Sequence, residues 1–221
     1  MNRMIRIIFN SAIVVFAAIG IVIDIVKMDT AMVLSAFTTQ SNIFCLVTVA
    51  VTVFWLVKNK SSEDKRYVLF KGMSLTSILL TFFITALLLK PMSGGAHKME
   101  ASVALADTLL HIVVPMMMLM DFIIFEKKGN IMPWHPFAWT IFPLYYVAYT
   151  AVYRVFGGVY KMGGGIVAKF PYFFLDYETY GLGTVTLWFI LIVIGFIGFS
   201  FLIFGFDRIL FKLRKRKAQL K

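Results

Sequence analysis

Two polar side chains in the fourth apolar stretch of the chain could act together in acid–base chemistry. Asp107 and His111 are four residues apart, so in a helix they share one face, with Cβ atoms about 5–6 Å apart. The carboxylate can accept a hydrogen bond from one imidazole nitrogen and leave the other nitrogen free as a base. Pro115 removes a backbone donor, and we expect it to free the carbonyl of His111 and kink the helix. The alternative is a histidine that only bonds to a neighbouring helix.

The segment Thr38–Asn42 supplies hydroxyl groups that such a base could activate. A hydroxyl is a weak nucleophile unless a base lies within hydrogen-bond reach, so Thr39 beside His111 would form a nucleophile–base pair. Asn42 or Tyr149 could stabilise a developing oxyanion. The prediction is therefore a catalytic set of Thr39, His111 and Asp107. The structural alternative is that these hydroxyls cap a helix or hold helices together.

The amino-acid composition of the chain indicates which class of protein positions these residues. The 221 residues are 60% hydrophobic and 15% charged, with a mean hydropathy of +0.85. A soluble chain would be about half apolar and about a quarter charged. The balance excludes a soluble enzyme, a disordered protein and a DNA-binding domain, so no nucleic acid partner is predicted. The single cysteine, Cys45, excludes a disulfide framework and a cysteine-rich metal site.

Six apolar stretches are long enough, or nearly so, to cross about 30 Å of hydrocarbon as helices. They do not alternate as the strands of a membrane barrel would. The predicted fold is all-α, a polytopic membrane protein that forms one six-transmembrane-helix bundle over residues 1–221. The predicted spans are 5–26, 37–57, 68–89, 104–125, 137–155 and 184–206.

The distribution of basic residues predicts the orientation. Sixteen of the 22 lysines and arginines fall on the side of the two termini and six on the other side. Both termini are therefore expected in the cytoplasm, in a multi-pass protein of the cell membrane. The basic tail, residues 208–221, is expected to lie against anionic lipids, at about 1 kcal/mol per basic group near the surface.

With this orientation, the polar side chains of several spans lie near the outer ends of the helices. Such groups are costly in hydrocarbon unless they pair or line a wet cavity, so a polar pocket in the outer half of the bundle is predicted. Its apolar floor would include Met116, Met117, Met118 and Met120. The main exception is Asp121, expected to reach the inner interface. The predicted substrate-binding residues are Thr38, Ser41, Asn42, Asp24, Tyr149, Tyr153, Arg154 and Asp176.

Other candidate sites are weaker. The segment Pro171–Asp176 either covers the pocket as a lid or belongs to the aromatic belt, and we favour the lid. His97 and His135 lie in loops on opposite sides of the membrane, so a metal site shared with His111 is not predicted. The glycine runs near 157 and 163 lack the lysine and the following strand of a phosphate loop. No cofactor and no metal are predicted.

Three motifs, in this order, resemble the androgen-induced-gene family of membrane proteins and its six-helix bacterial relatives. They are FTTQSN at 37–42, LLHIVVP at 109–115, and WTIFPLYYVAYTAVYR at 139–154 followed by FPYFFLD at 170–176. The resemblance extends over essentially the whole chain. Animal members are lipid hydrolases with an intramembrane threonine nucleophile and a histidine, and they cleave fatty acid esters of hydroxy fatty acids. The resemblance implies those roles for Thr39 and His111. The spacing from His111 to Pro115 and the polar residues after Thr39 differ from the animal pattern and place the chain in the bacterial branch.

The sequence thus predicts an intramembrane hydrolase of lipid-like acyl esters, with a lipid or acyl-ester small molecule as its partner. A second hypothesis is a non-catalytic protein that binds or transports a lipophile in the same pocket. A third is a structural membrane protein in which Asp107, His111 and Arg154 are fully paired in a dry core.

Overall fold

The computed structural model describes residues 3–59, 65–89, 100–161 and 167–219, and nearly all of them are helical. The predicted all-α class is confirmed. One π-helical turn, Thr85–Leu89, follows the helix Lys65–Ile84, and another, Leu109–Val113, lies within the helix Ala101–Phe125. A short 3₁₀ turn covers Phe173–Leu175. Two two-residue strands, Tyr160–Lys161 and Val167–Ala168, pair antiparallel. The helices are α1 (Arg3–Lys27), α2 (Thr30–Ser35), α3 (Phe37–Val57), α4 (Lys65–Ile84), α5 (Ala101–Phe125), α6 (His135–Trp139), α7 (Ile141–Val155), α8 (Tyr177–Tyr180) and α9 (Leu182–Gln219).

Five helices are long and apolar enough to cross a membrane: α1, α3, α4, α5 and α9. The predicted fifth span, 137–155, is instead divided at Thr140 into α6 and α7, and neither part has the length of a span. Prolines explain the division. Pro136 and Pro143 each lie in the first turn of a helix, the position where a missing backbone N–H costs least and where helices begin. Six spans are therefore not confirmed.

Helices α1, α3, α4 and α5 pack around one apolar core. Its centre is formed by fully buried side chains such as Ile13, Val49, Ile78 and Met118. Small residues allow the closest approaches. A Cβ atom on Gly20 of α1 would come within 2.7 Å of the Leu110 side chain, so this glycine lets α1 lie directly against α5.

The α6–α7 pair extends from one end of this bundle to the other. Near one end, Trp139 donates from its indole nitrogen to the Leu69 carbonyl, early in α4, at 3.0 Å. Near the other, Tyr149 of α7 lies 2.9 Å from the Ser35 hydroxyl, just before α3. Because α3 and α4 follow each other as an antiparallel pair, the beginnings of these helices lie at opposite ends of the bundle.

The end of α9 holds the loop that follows α5. Asp207 accepts a hydrogen bond from the backbone N–H of Gly129 at 2.9 Å, and Arg208 donates to the Ile131 carbonyl at 2.7 Å. Arg214 donates to the Ile123 carbonyl at 2.8 Å. Two guanidinium groups of the predicted lipid-binding tail are thus engaged with the protein's own backbone. Arg214 supplies a donor to the last turn of α5, and Arg208 supplies one to the loop that follows. The side chains of Lys212, Lys215, Arg216 and Lys217 are exposed.

The π-helical turn in α5 determines which carbonyl Pro115 leaves without a donor. The N–H of Val114 donates to the Leu109 carbonyl, five residues earlier, so the next bond in this register would join Pro115 to Leu110. Proline has no N–H, and the amide of Asn42 in α3 replaces it by donating to the Leu110 carbonyl at 3.2 Å. The sequence had suggested that Pro115 frees the carbonyl of His111. In the register of the structure, the freed carbonyl is that of Leu110.

The hydrogen bond from the Asn42 amide to the Leu110 carbonyl gives a test of the π-helical turn. We expect Asn42→Leu to lower the free energy of unfolding by about 1–3 kcal/mol, because it leaves the buried Leu110 carbonyl without a partner. Adding Pro115→Ala restores a backbone N–H, so the double variant should be more stable than the two single losses added together predict. Denaturant unfolding in detergent measures the cycle, and strict additivity would contradict this account.

Candidate functional site

Asp107, His111 and Thr38 form a chain of polar contacts between α5 and α3. The Asp107 carboxylate oxygen Oδ1 lies 3.0 Å from Nδ1 of His111, in the predicted i, i+4 arrangement. The other ring nitrogen, Nε2, lies 3.3 Å from the hydroxyl oxygen of Thr38. All three groups are at least partly shielded, with the His111 side chain 18% exposed and that of Asp107 27% exposed. With Nδ1 protonated towards Asp107, Nε2 is the nitrogen that can accept a proton from Thr38.

The hydroxyl beside His111 belongs to Thr38 and not to Thr39, the predicted nucleophile. Successive residues of a helix point about 100° apart, so only one of two neighbouring threonines can face α5. Thr39 is 2% exposed inside the bundle. Asn42, four residues after Thr38, donates to the Thr38 carbonyl at 2.9 Å and holds that side of α3 against the π-helical turn.

A cavity lies on the other side of Thr38. It contains about 540 Å³ of empty space, counted with its open mouth, between α3, α4, α7 and the segment before α8. The lining residues that carry a hydroxyl are Thr38, Thr81, Thr85, Tyr146 and Tyr172. The rest of the lining is apolar and consists of Phe37, Leu80, Ile84, Pro143, Val147, Phe174, Leu175 and Ile192.

Two of the residues that line the cavity are tyrosines. Burial raises the pKa of Tyr172, whose hydroxyl also interacts with that of Thr38. Tyr146 is 4% exposed, and its hydroxyl interacts with that of Tyr172. The two rings lie 6.2 Å apart between centroids. Both phenols remain protonated at neutral pH and can therefore act as hydrogen-bond donors.

The walls of the cavity differ from the predicted ones. The predicted methionine floor is wrong, because Met118 is fully buried in the central core and the side chains of α5 do not line the cavity. The segment Pro171–Asp176 covers one side, since Tyr172, Phe174 and Leu175 belong to the lining. The 3₁₀ turn of this segment is held against α9 by edge-to-face packing of Phe173 on Trp188, at 5.5 Å.

Some of the other predicted site residues lie close to this chain of contacts. The Asp24 carboxylate interacts electrostatically with both His111 and Asp107. The Ser41 hydroxyl lies 2.8 Å from that of Thr81, a residue that lines the cavity. Asp24, Ser41 and Asn42 therefore surround the site without lining the cavity.

The remaining predicted residues lie in α7 and in the segment between α7 and α8, and they do not line the cavity. Tyr149 bonds to Ser35, and Tyr153 donates to the Val159 carbonyl at 3.2 Å. Arg154 pairs with Glu178 at 2.9 Å, and hydrogen bonds from Lys169 and Arg154 lower the pKa of that carboxylate. Asp176 caps α8, where its hydrogen bonds with Thr179 lower its pKa. These polar groups satisfy one another because the segment between α7 and α8 folds back on itself.

Comparison with known proteins leaves the site to be interpreted from its geometry. No family model, curated protein or solved structure matches this chain. The likeness to the androgen-induced-gene family remains a prediction from three motifs.

Over the described ranges, no three histidine, cysteine or acidic side chains gather into a possible metal site. His97 lies outside those ranges. His135 lies buried beside Trp134.

The sequence missed a second polar cluster, at the opposite end of the bundle. Asp121 was expected to reach the membrane interface, but it is fully buried. Its carboxylate lies 3.0 Å from Lys71 and accepts a hydrogen bond from Asn10 at 2.7 Å. Beside this pair, Glu126 accepts from Arg6 at 2.6 Å and from Tyr67 at 2.9 Å. The inner cluster, defined as Arg6, Asn10, Tyr67, Lys71, Asp121 and Glu126, joins three core helices through buried charge. Lys71, a cation between apolar residues of α4, was the available sequence signal.

Proposed function

We propose that the protein is an intramembrane hydrolase of lipid-like acyl esters, with Thr38 as nucleophile, His111 as general base and Asp107 as the group that orients His111. The observation that carries the proposal is the unbroken sequence of contacts from Asp107 through His111 to the hydroxyl of Thr38, a residue that lines a cavity. A carboxylate, an imidazole and a hydroxyl in this order are the elements of nucleophilic acyl transfer. The separation of 3.3 Å is within the range of such pairs without substrate.

In the first half of the reaction, His111 Nε2 takes the proton of the Thr38 hydroxyl as its oxygen attacks the ester carbonyl carbon. The carbonyl oxygen becomes an oxyanion, for which the phenol groups of Tyr172 and Tyr146, two residues that line the cavity, are candidate donors. Asn42 and Tyr149, the donors expected from sequence, are already bonded to Leu110 and Ser35. When the intermediate collapses, the carbon–oxygen bond to the alcohol breaks and the alcohol leaves with the proton from His111.

In the second half, water replaces the alcohol. His111 takes a proton from water, the hydroxide attacks the acyl carbon on Thr38, and the bond to the threonine oxygen breaks. The threonine recovers its proton from His111 and a carboxylic acid is released. The apolar lining supports a lipid-like substrate, because apart from the hydroxyls the walls offer a chain only aliphatic and aromatic contact.

Hydrolysis of 4-methylumbelliferyl esters of increasing chain length by the purified protein tests this function. We expect activity on long acyl chains and a loss of about 10²–10⁴-fold in His111→Ala, because no base remains to take the threonine proton. His135→Phe, a change of the same residue type far from the cavity, is the control. Equal rates in His111→Ala and wild type, both eluting as single species, would refute the mechanism.

The second candidate is a non-catalytic protein that binds or transports a lipophile. The mostly apolar cavity wall favours it, because such a wall holds a chain whether or not chemistry follows. Lipid that copurifies with the protein, together with no ester turnover under any condition of the assay, would support this candidate.

For the topology, we propose six spans in the cell membrane, with both termini in the cytoplasm and the α6–α7 pair as the fifth span. The contacts of Trp139 and Tyr149 with opposite ends of the bundle support it, as does a combined length of about 30 Å. The exposed basic side chains near the end of α9 would then face anionic lipid.

Cysteine labelling distinguishes six spans from five. The native Cys45 is fully buried, so an introduced cysteine is the reactive one. With six spans, a membrane-impermeant maleimide added to intact cells should label Tyr180→Cys and not Lys217→Cys. If α6–α7 does not cross, the two results are reversed.

A further inference from the structure

A second cavity adjoins the one at Thr38 and opens between α7 and α9. This outer groove has about 910 Å³ of empty space, counted with its open mouth. Its lining includes Ala151 and Arg154 of α7 and Val185 of α9. Val147 and Leu175 line both cavities, so these two side chains stand between the groove and the space beside Thr38.

The groove exists because α9 is attached to the rest of the protein mainly at two places. From its middle to its basic end α9 packs on α4, α6 and the loop after α5, and towards its beginning it packs on the 3₁₀ turn and α8. Within the described chain, α7 is not among the helices that it packs against closely. A gap between two helices in a membrane opens to acyl chains and not to water, so this side of the molecule is a lateral entrance.

Among the described residues that line the groove, Arg154 is the only charged one. Beside it, Arg154 and Lys169 share the carboxylate of Glu178, and Lys169 also interacts with the carboxylate of Asp176. The side chains of Arg154, Lys169 and Glu178 are 27%, 56% and 35% exposed, so a headgroup can reach them. Arg154 lies seven positions after Val147, which corresponds to about 10 Å of helix, the distance from this charge to the constriction.

We propose that the groove between α7 and α9 is the path by which an anionic single-chain amphiphile enters from the outer leaflet. Its carboxylate head lies at Arg154 and Lys169, its chain follows α7, and Val147 and Leu175 determine whether the chain reaches Thr38. The path deepens the proposed function and rests on it only for what happens at Thr38. Occupation of the groove requires no hydrolysis, so it is tested separately.

Photocrosslinking of the protein in zwitterionic nanodiscs with a palmitic acid analogue that carries a terminal diazirine tests the path. We expect crosslinks on α4 around Leu80 and Ile84, the cavity wall beyond the constriction, in the wild type and equally in Thr38→Val. Val147→Trp fills the constriction and should reduce these crosslinks about tenfold, the effect of about 1.4 kcal/mol. Val152→Trp, on an exposed face of the same helix and outside both cavities, is the matched control.

A separate variant tests the proposed contact between the carboxylate head of the amphiphile and Arg154. Arg154→Gln should reduce labelling by the acid and leave labelling by the corresponding uncharged diazirine alcohol unchanged. Equal crosslinking of Leu80 and Ile84 in the Val147→Trp and Val152→Trp proteins would overturn the path, as would crosslinks spread over all lipid-facing helices. If the crosslinks follow the expected pattern but no ester is hydrolysed, the path holds and the proposed catalytic function fails.

Discussion

Thr38→Val is expected to reduce ester hydrolysis by about 10³-fold or more, while Thr39→Val stays within a few-fold of wild type. Valine has nearly the shape of threonine, so the change removes the hydroxyl and little else. The hydroxyl of Thr38 is the one 3.3 Å from His111, and Thr38 lines the cavity, whereas Thr39 lies inside the bundle. The two neighbouring variants are therefore matched controls for each other.

Covalent labelling gives this prediction a second measurement. A fluorophosphonate with an alkyl chain should modify the Thr38 oxygen, and peptide mass spectrometry locates the adduct. His111→Ala should prevent the adduct because the hydroxyl is then not activated. An adduct on Thr39, or activity that is lost in Thr39→Val and kept in Thr38→Val, would return the nucleophile to the position that the family resemblance implies.

Asp121→Leu is expected to lower the free energy of unfolding by about 3–5 kcal/mol, the largest stability effect of any single change proposed for this chain. The substitution leaves Lys71 buried, at 6% exposure, without its carboxylate. The double variant Lys71→Met with Asp121→Leu should recover most of the loss, because it removes both charges and fills the space with apolar atoms.

Thermal unfolding of the detergent-solubilised proteins, followed by circular dichroism, measures these differences. Lys27→Met is the control, because Lys27 pairs with Glu100 while exposed and should change stability by less than about 1 kcal/mol. A double variant as unstable as the single one would show that the inner cluster contributes more than charge compensation. Asn10, which also bonds to Asp121, would then be the next residue to change.

The sequence predicted local relations better than relations between helices. Asp107 and His111 were paired correctly because helical spacing alone places them together. The choice between Thr38 and Thr39 depends on how α3 is rotated against α5, and that rotation follows from packing around Gly20, Leu110 and the π-helical turn. The π-helical turn also shifts the backbone hydrogen-bond register by one residue, so that Pro115 leaves the carbonyl of Leu110 free where helical spacing had suggested that of His111.

Contacts between distant residues were the least predictable. The partner of Asp121 is Lys71, fifty positions earlier, and nothing local marks the pair. Arg154 and Asp176 were placed correctly at the same end of the molecule as the pocket but are bonded to residues of α8. The apolar runs gave the helical class, whereas Pro136 and Pro143 divided one predicted span into two short helices.

The inner cluster has an electrical consequence. Arg6 and Lys71 carry two positive charges and Asp121 and Glu126 two negative ones, so the cluster sums to zero. A free elementary charge crossing the membrane exchanges about 2.3 kcal/mol with each 100 mV of potential. Opposite charges held within 3.0 Å of each other experience almost equal and opposite forces in that field. The inner cluster therefore gives the packing of these helices almost no net charge on which a transmembrane potential could act.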